Sequence, residues 1–222
     1  EYEARVFAEM DVESITFPAG FKTVPNEMFY KCEKLSSLDL GEVETIGNYA
    51  FNGCSIRTVT IPKSVTYVGE DAFSGYPIPN SPYGEWAPMD NVYIYGENIQ
   101  LGPGGTSTMS ATQVTIGNTV RRISGMIGRD TSTIIFEEGS VCEHFCSMRR
   151  STIKSITLPD CIKELDEMAF SSCKELESAK LPASLTAIPK SAFELCTSLE
   201  SVTIPDGIVV IGEKAFYECK AL

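Results

Sequence analysis

The stretch Cys142-Glu143-His144-Phe145-Cys146 gathers two thiols, a carboxylate and the chain's single histidine into five residues. Thiolate and imidazole are zinc ligands, and a Cys–His pair is also the heart of a thiol nucleophile. Neither chemistry closes here. Zinc takes four ligands, or three and a water, from spaced pairs. These candidates crowd one short segment, and there is no second histidine. With His144 as the sole candidate base, a Ser–His–Asp or Cys–His engine is not expected either. The run Gly102-Pro103-Gly104-Gly105-Thr106-Ser107-Thr108 is glycine-rich. It lacks the lysine that reaches phosphate in a P-loop and leads into no helical pattern, so it reads as a turn. Glu137-Glu138 and Asp166-Glu167 read as solvated edges rather than acid–base pairs. We expect no catalytic residue, no metal and no cofactor, and therefore no enzyme.

The remaining cysteines lead from chemistry to scaffold. Cys32, Cys54, Cys173, Cys196 and Cys219 each stand three residues after a phenylalanine, at 29, 51, 170, 193 and 216. That is a structural register, a column of small buried thiols. Side chains parallel in one column and about 4.8 Å apart are poorly placed for a disulfide, which wants Cβ atoms about 3.8 Å apart. These five are expected to stay reduced. Cys142, Cys146 and Cys161 fall outside the register, and a bridge from Cys142 to Cys161 or Cys146 is left open.

The register belongs to a repeat. Arg57-Thr-Val-Thr-Ile-Pro62 runs on to Gly69 and Ala72-Phe73, and Ser201-Val-Thr-Ile-Pro205 runs on to Gly212, Ala215-Phe216 and Cys219. The apolar residue closing each first segment falls at Phe17, Leu40, Ile61, Ile94, Ile116, Phe136, Leu158, Leu181 and Ile204. Successive spacings lie between 20 and 23, except one of 33 before Ile94. A second apolar position follows seven residues later at Val24, Val68, Leu101, Ile123, Leu165, Ile188 and Ile211. Alternation such as Ser201-Val202-Thr203-Ile204 predicts a half-buried strand. The proline after it ends the ladder, having no donor. Gly212 and its equivalents predict a turn, and the Ala-Phe segment about one helical turn. One unit cannot bury its own apolar side; stacked copies can. Nine rungs about 4.8 Å apart make a ladder on the order of 40 Å long.

Composition narrows the partners. Of 222 residues, 18 are basic and 30 acidic, a net charge of −12. That balance argues against nucleic acid and against an anionic membrane surface, both of which call for Lys and Arg. No apolar run is long enough to insert in a membrane. The sequence opens Glu1-Tyr2-Glu3-Ala4-Arg5, so we expect that a targeting segment was removed or that a longer chain precedes it. It holds no Asn-x-Ser/Thr sequon.

The unit x-Val-Thr-Ile-Pro, then Ile-Gly, Ala-Phe and Cys at the spacing of 201–219, resembles the BspA-like leucine-rich repeat of bacterial surface proteins, related to the treponemal repeat class. The resemblance is strong over 14–76 and 153–222, and weak over 77–152. It implies a right-handed solenoid with a parallel sheet on one side, in secreted or cell-surface proteins of host-associated microbes acting in adhesion and binding. No shared catalytic residues come with it. The expected fold is thus α/β and β-rich: one leucine-rich-repeat solenoid domain over 1–222, with about nine parallel rungs and short helical turns. It is irregular in 77–152, with an inserted loop at 77–90.

By alternation the outward residues are mostly Ser and Thr. Asp39, Tyr93, Gln113, Ile135 and Lys180 depart from that rule. Tyr93 and Ile135 fall two rungs apart, about 10 Å, and suggest a contact patch on an otherwise polar sheet. The 77–90 insertion carries Tyr83, four prolines and the only tryptophan, Trp86. Insertions in solenoids become loops on one face, often the binding face, and Trp and Tyr are common anchors. Trp86 folding back over the irregular rungs is the competing reading.

We therefore expect an extracellular or cell-surface module that binds a host or microbial surface protein or a glycan. The candidate residues are Tyr83, Trp86, Tyr93, Gln113 and Ile135. A structural spacer projecting another domain is the alternative. The chain stops part-way through a unit at Leu222, and an apolar stack end should not stay bare. Further chain, a cap or an end-to-end dimer contact is expected there.

Overall fold

A computed structural model describes residues 5–78, 86–102 and 109–222, and of Trp86 the backbone only. In chain order the strands are β1 (Ser14–Thr16), β2 (Thr23–Val24), β3 (Ser37–Asp39), β4 (Thr45–Ile46), β5 (Thr58–Ile61) and β6 (Tyr67–Val68). Then come β7 (Tyr76–Pro77), β8 (Trp86–Ala87), β9 (Met89–Ile94), β10 (Asn98–Leu101), β11 (Ala111–Ile116) and β12 (Arg122–Ser124). The rest are β13 (Thr133–Phe136), β14 (His144–Phe145), β15 (Ser155–Thr157), β16 (Glu164–Leu165), β17 (Ser178–Lys180), β18 (Ala187–Ile188), β19 (Ser201–Thr203) and β20 (Val210–Ile211).

Apart from β7 and β8, each coil supplies one longer strand to a first side and one shorter strand to a second, and every pairing between coils is parallel. The first side carries nine rungs, but not one unbroken sheet. It consists of β1-β3, then β5-β9-β11-β13, then β15-β17-β19. The second side runs unbroken from β2 to β16, followed by β18-β20.

Within a rung, alternation sorts the side chains. Val92 and Ile94 of β9, and Val114 and Ile116 of β11, point in and are fully buried. The proline that follows several first strands does more than stop them. Its carbonyl accepts the N–H three residues on, as in Pro62 to Val65 and Pro182 to Leu185, both 3.1 Å. This closes a β-turn that swings the chain toward the second side. The glycine after the second strand is required by space. A Cβ at Gly212 would sit 2.5 Å from the Lys190 backbone nitrogen of the preceding coil.

On the third side the structure corrects the expected helical turns: no helix forms there among the described residues. The residues two before and two after the phenylalanine are left-handed. Glu27 and Lys31 flank Phe29 at φ 57° and 55°, and Ser191 and Leu195 flank Phe193 at 54° and 62°. For a residue with a side chain this costs roughly 1–2 kcal/mol. The return is that alternate N–H groups all face the next coil. Those of Glu27, Phe29 and Lys31 bond the carbonyls of Asn48, Ala50 and Asn52 at 2.9, 2.8 and 2.7 Å. The rings stack in turn: Phe7, Phe29, Phe51 and Phe73 at 5.1–5.4 Å, and Phe170, Phe193 and Phe216 at 5.2 and 5.3 Å. Phe7 therefore opens the column one coil earlier than the sequence pattern indicated. Buried Met109, Ile127 and Met148 fill the same column through the middle.

Each register cysteine has a defined task. The Cys32, Cys54, Cys173, Cys196 and Cys219 thiols donate to the carbonyls of Phe7, Phe29, Met148, Phe170 and Phe193 one coil back, at 2.9–3.2 Å. All eight cysteines are free, and Cys142 donates to the His144 carbonyl at 3.3 Å instead of bridging. Burial pushes the Cys54, Cys146 and Cys196 thiols well up and that of Cys142 to about 12.

A second correction concerns register. The sequence pattern put Leu101 and Ile123 in one column. The four-residue β10 instead pairs Leu101 with Val68 on one side and Ile99 with Ile123 on the other. It shifts the ladder by two residues, which keeps inward residues inward.

Candidate binding face

The central block β5-β9-β11-β13 holds Tyr93, Gln113 and Ile135 on its outward face. Thr60, Tyr93, Thr115 and Ile135 form one row of directly paired residues, and Thr58, Asn91, Gln113 and Thr133 form the next. Tyr93 and Ile135 thus flank Thr115, which is only 5% exposed although it points outward. Ile135 is 41% exposed, and Tyr93, Asn91 and Gln113 are half-buried. Asn91 and Gln113, side by side on adjacent rungs, have no side-chain hydrogen-bond partner among the described residues. Asn91 was not singled out in the sequence, though it stands 22 residues before Gln113, one period.

The block is almost uncharged in a chain of net charge −12. Asp90 is its one charged residue, and Arg57 pairs with it at 3.6 Å. Beyond the far strand ends, the Glu137 carboxylate takes the Tyr95 hydroxyl at 2.7 Å and the Asn118 N–H at 3.1 Å. That bond also pushes the Tyr95 phenol up. Past Ile135 the first side opens, because β13 and β15 do not pair. A cleft of about 490 Å³ lies there, lined by hydroxyl side chains of Ser132, Thr133, Thr152, Ser155 and Thr157 over Ile134 and Ile156, with the charged Lys154 and Glu175 also on its wall.

Tyr83, with the rest of 79–85 in the 77–90 insertion, lies outside the described residues. The neck of the insertion does not: β7 and β8 pair antiparallel, Tyr76 with Ala87 and Pro77 with Trp86. This closure needs glycine at Gly75, whose φ is +104° and where a Cβ would lie 2.2 Å from the Ala87 carbonyl oxygen. Arg57 braces the neck, stacking on Tyr76 at 4.8 Å and donating to its hydroxyl at 2.8 Å. The insertion therefore emerges at the start of β9, beside the uncharged rows.

Charge is concentrated on the second side. Glu97, Arg121, Glu143 and Lys163 alternate in sign on successive coils at 3.7, 3.5 and 3.1 Å. Beside them His144 sits between two carboxylates of the next coil. Its Nδ1 is 3.0 Å from Glu164 and its Nε2 2.7 Å from Asp166. The sequence reading treated His144 as packing and Asp166 as solvated edge; their separation of 22 residues was the available signal. His144, Arg121, Arg122 and Lys163 border a cleft of about 220 Å³. With both ring nitrogens engaged, the imidazole offers no free nitrogen to a substrate or metal. Among the described residues no group of three or more His, Cys, Asp or Glu side chains is arranged to hold a metal ion. No helix among them is long and apolar enough to cross a membrane.

The architecture can now be set beside known proteins. Residues 1–78 and 106–222 match the family model described as BspA type Leucine rich repeat region, in six copies. The chain belongs to this family. The unmatched segment holds most of the insertion and the register-shifting β10, where the BspA-type spacing is broken. Among solved structures, a leucine-rich repeat protein from Bacteroides ovatus ATCC 8483 aligns over 93% of this chain and 58% of its own, at 20% identity and TM-score 0.56. It shares the fold. A leucine rich cell surface protein from Faecalibacterium prausnitzii A2-165 aligns over 86% of this chain and 59% of its own, at 23% identity and TM-score 0.41. A leucine-rich repeat protein from Eubacterium ventriosum ATCC 27560 aligns over 93% and 82%, at 16% identity and TM-score 0.46. This chain therefore spans less than two thirds of the first two. No curated protein matches.

Proposed function

We propose that this BspA-type chain is a cell-surface or extracellular interaction module. It binds through the outward face of the central block and the 77–90 insertion, and has no catalytic role. The observation that carries this is the grouping of Tyr93, Gln113 and Ile135 on three adjacent rungs, while the flanking rungs show mainly Ser and Thr. Tyr83 and Trp86 join them as the insertion's anchors, because the neck at β7 and β8 roots the insertion at the start of β9, the strand that carries Tyr93. A non-catalytic role is supported by the saturated His144 ring and the buried, protonated thiols, since the thiolate is the reactive form. The surface location rests on what the BspA-type repeat implies.

The test is solid-phase binding of the chain to surface proteins and glycans, comparing wild type with Trp86→Ala and Tyr93→Ala. Loss in both variants, with unchanged melting, is the expected result. Equal binding by all three would place the contact elsewhere. Binding to nothing would favour the spacer, whose support is the uniform Ser and Thr of β1, β15 and β19.

A further inference from the structure

We propose that the central block is a site for an uncharged oligosaccharide, lying from the Asn91–Gln113 pair across Tyr93 to Ile135. This deepens the binding-face reading and rests on it.

Charge excludes several partners first. Anionic chains such as sulfated glycans or nucleic acid need free cations; the four strands of the block carry none, and Arg57 beside them is engaged by Asp90 and Tyr76. Cationic partners need free carboxylates, and those of Asp90 and Glu137 are already bound. The recognition groups left over are neutral. Asn91 and Gln113 each offer one acceptor and two donors on adjacent rungs, unused among the described residues. An amide pair of this kind matches neighbouring hydroxyls on a sugar ring. Tyr93, diagonal to Gln113, adds an apolar ring face with a polar tip. Thr115 and Ile135 complete a floor with little freedom to lose.

Size decides between sugar and protein. Four rungs about 4.8 Å apart, with two outward residues about 7 Å apart on each, cover on the order of 200 Å². A standard protein partner covers about 800 Å². It would have to spread over the charged outward residues Asp39 and Lys180, outside the block. A few sugar rings fit the uncharged rows, and the cleft past Ile135, with Lys154 and Glu175 on its wall, bounds them at one end.

The experiment is an array of uncharged oligosaccharides beside sulfated and carboxylated ones, probed with the whole chain, followed by calorimetry on the best uncharged hit. Wild type is expected to bind uncharged members in preference. Gln113→Ala and Tyr93→Ala should each weaken binding about tenfold or more, with melting unchanged. Thr203→Ala, on the last coil, should have no effect. Binding confined to charged glycans, or no glycan binding, overturns the proposal. If the Tyr93-dependent partner proves to be a protein, the sugar proposal falls and the binding-face reading stands. If nothing binds at all, both fall.

Discussion

The Cys196 thiol donates to the Phe170 carbonyl oxygen at 3.0 Å, one coil back along the solenoid. The same bond recurs at Cys32, Cys54, Cys173 and Cys219, so the cysteine column is a row of inter-coil hydrogen bonds. It keeps its sulfurs as thiols because burial disfavours the charged form.

An alkaline weakness follows. A thiol whose pKa is raised by folding adds stability that is fully present below its unfolded value, about 8.5. That stability is lost as pH climbs toward the folded value, because the unfolded chain sheds the proton first. The urea midpoint should fall steadily from pH 8 to pH 10. Cys54→Ala, less stable at pH 7 by about 1–3 kcal/mol, should fall less steeply. Parallel slopes would show that the thiols do not drive the loss. Without denaturant, a thiol reagent should label at most the half-buried Cys161 and Cys219.

The left-handed turns give a prediction of opposite sign. Lys31 and Gly53 occupy the same place in successive coils, at φ 55° and 82°. Relief of about 1–2 kcal/mol in Lys31→Gly exceeds the added unfolded-state entropy of about 0.5–1. Lys31→Gly should therefore raise stability by up to about 1 kcal/mol. A loss on chemical denaturation would mean that the Lys31 ammonium over the Tyr30 ring outweighs the strain.

His144 couples two coils. Replacing it by leucine removes charge-assisted bonds to Glu164 and Asp166 and should cost about 1–3 kcal/mol near neutrality. The hydrogen bond from His144 is the main cause holding the Glu164 carboxyl below its usual range. A lowered carboxyl pKa stabilises above the unfolded value, about 4.3, and the benefit disappears as pH falls through the folded value. The melting-temperature gap between wild type and His144→Leu should hold from pH 6 to 5 and shrink below about pH 4. A gap that stays constant to pH 3 would remove Glu164 from this account.

These elements differ in how far the sequence exposed them. Coil length was legible because a rung must return to register, which fixes the spacing of Ile94, Ile116 and Phe136 whatever lies between. The turn was not. Its left-handed places are filled by Glu27, Tyr49, Met168, Ser191 and Lys214, which share no chemistry, since the backbone bonds alone select the conformation. Ile99 and Leu101 share one face of a strand, so alternation could not say which meets Ile123. The outward position of Tyr93, Gln113 and Ile135 followed from period two. The unpaired state of Asn91 and the clamp on His144 depend on neighbours one coil away and needed coordinates.

If the function sits on the central block, exchange there must matter more than exchange at the ends. Adhesion of beads coated with the chain to intact cells tests this directly, comparing Tyr93→Ala/Gln113→Ala with Thr16→Ala/Thr203→Ala. The account predicts that the first pair abolishes adhesion and the second leaves it at the wild-type level, with all proteins melting alike. Adhesion equal in every variant, or lost only with the end substitutions, would contradict it.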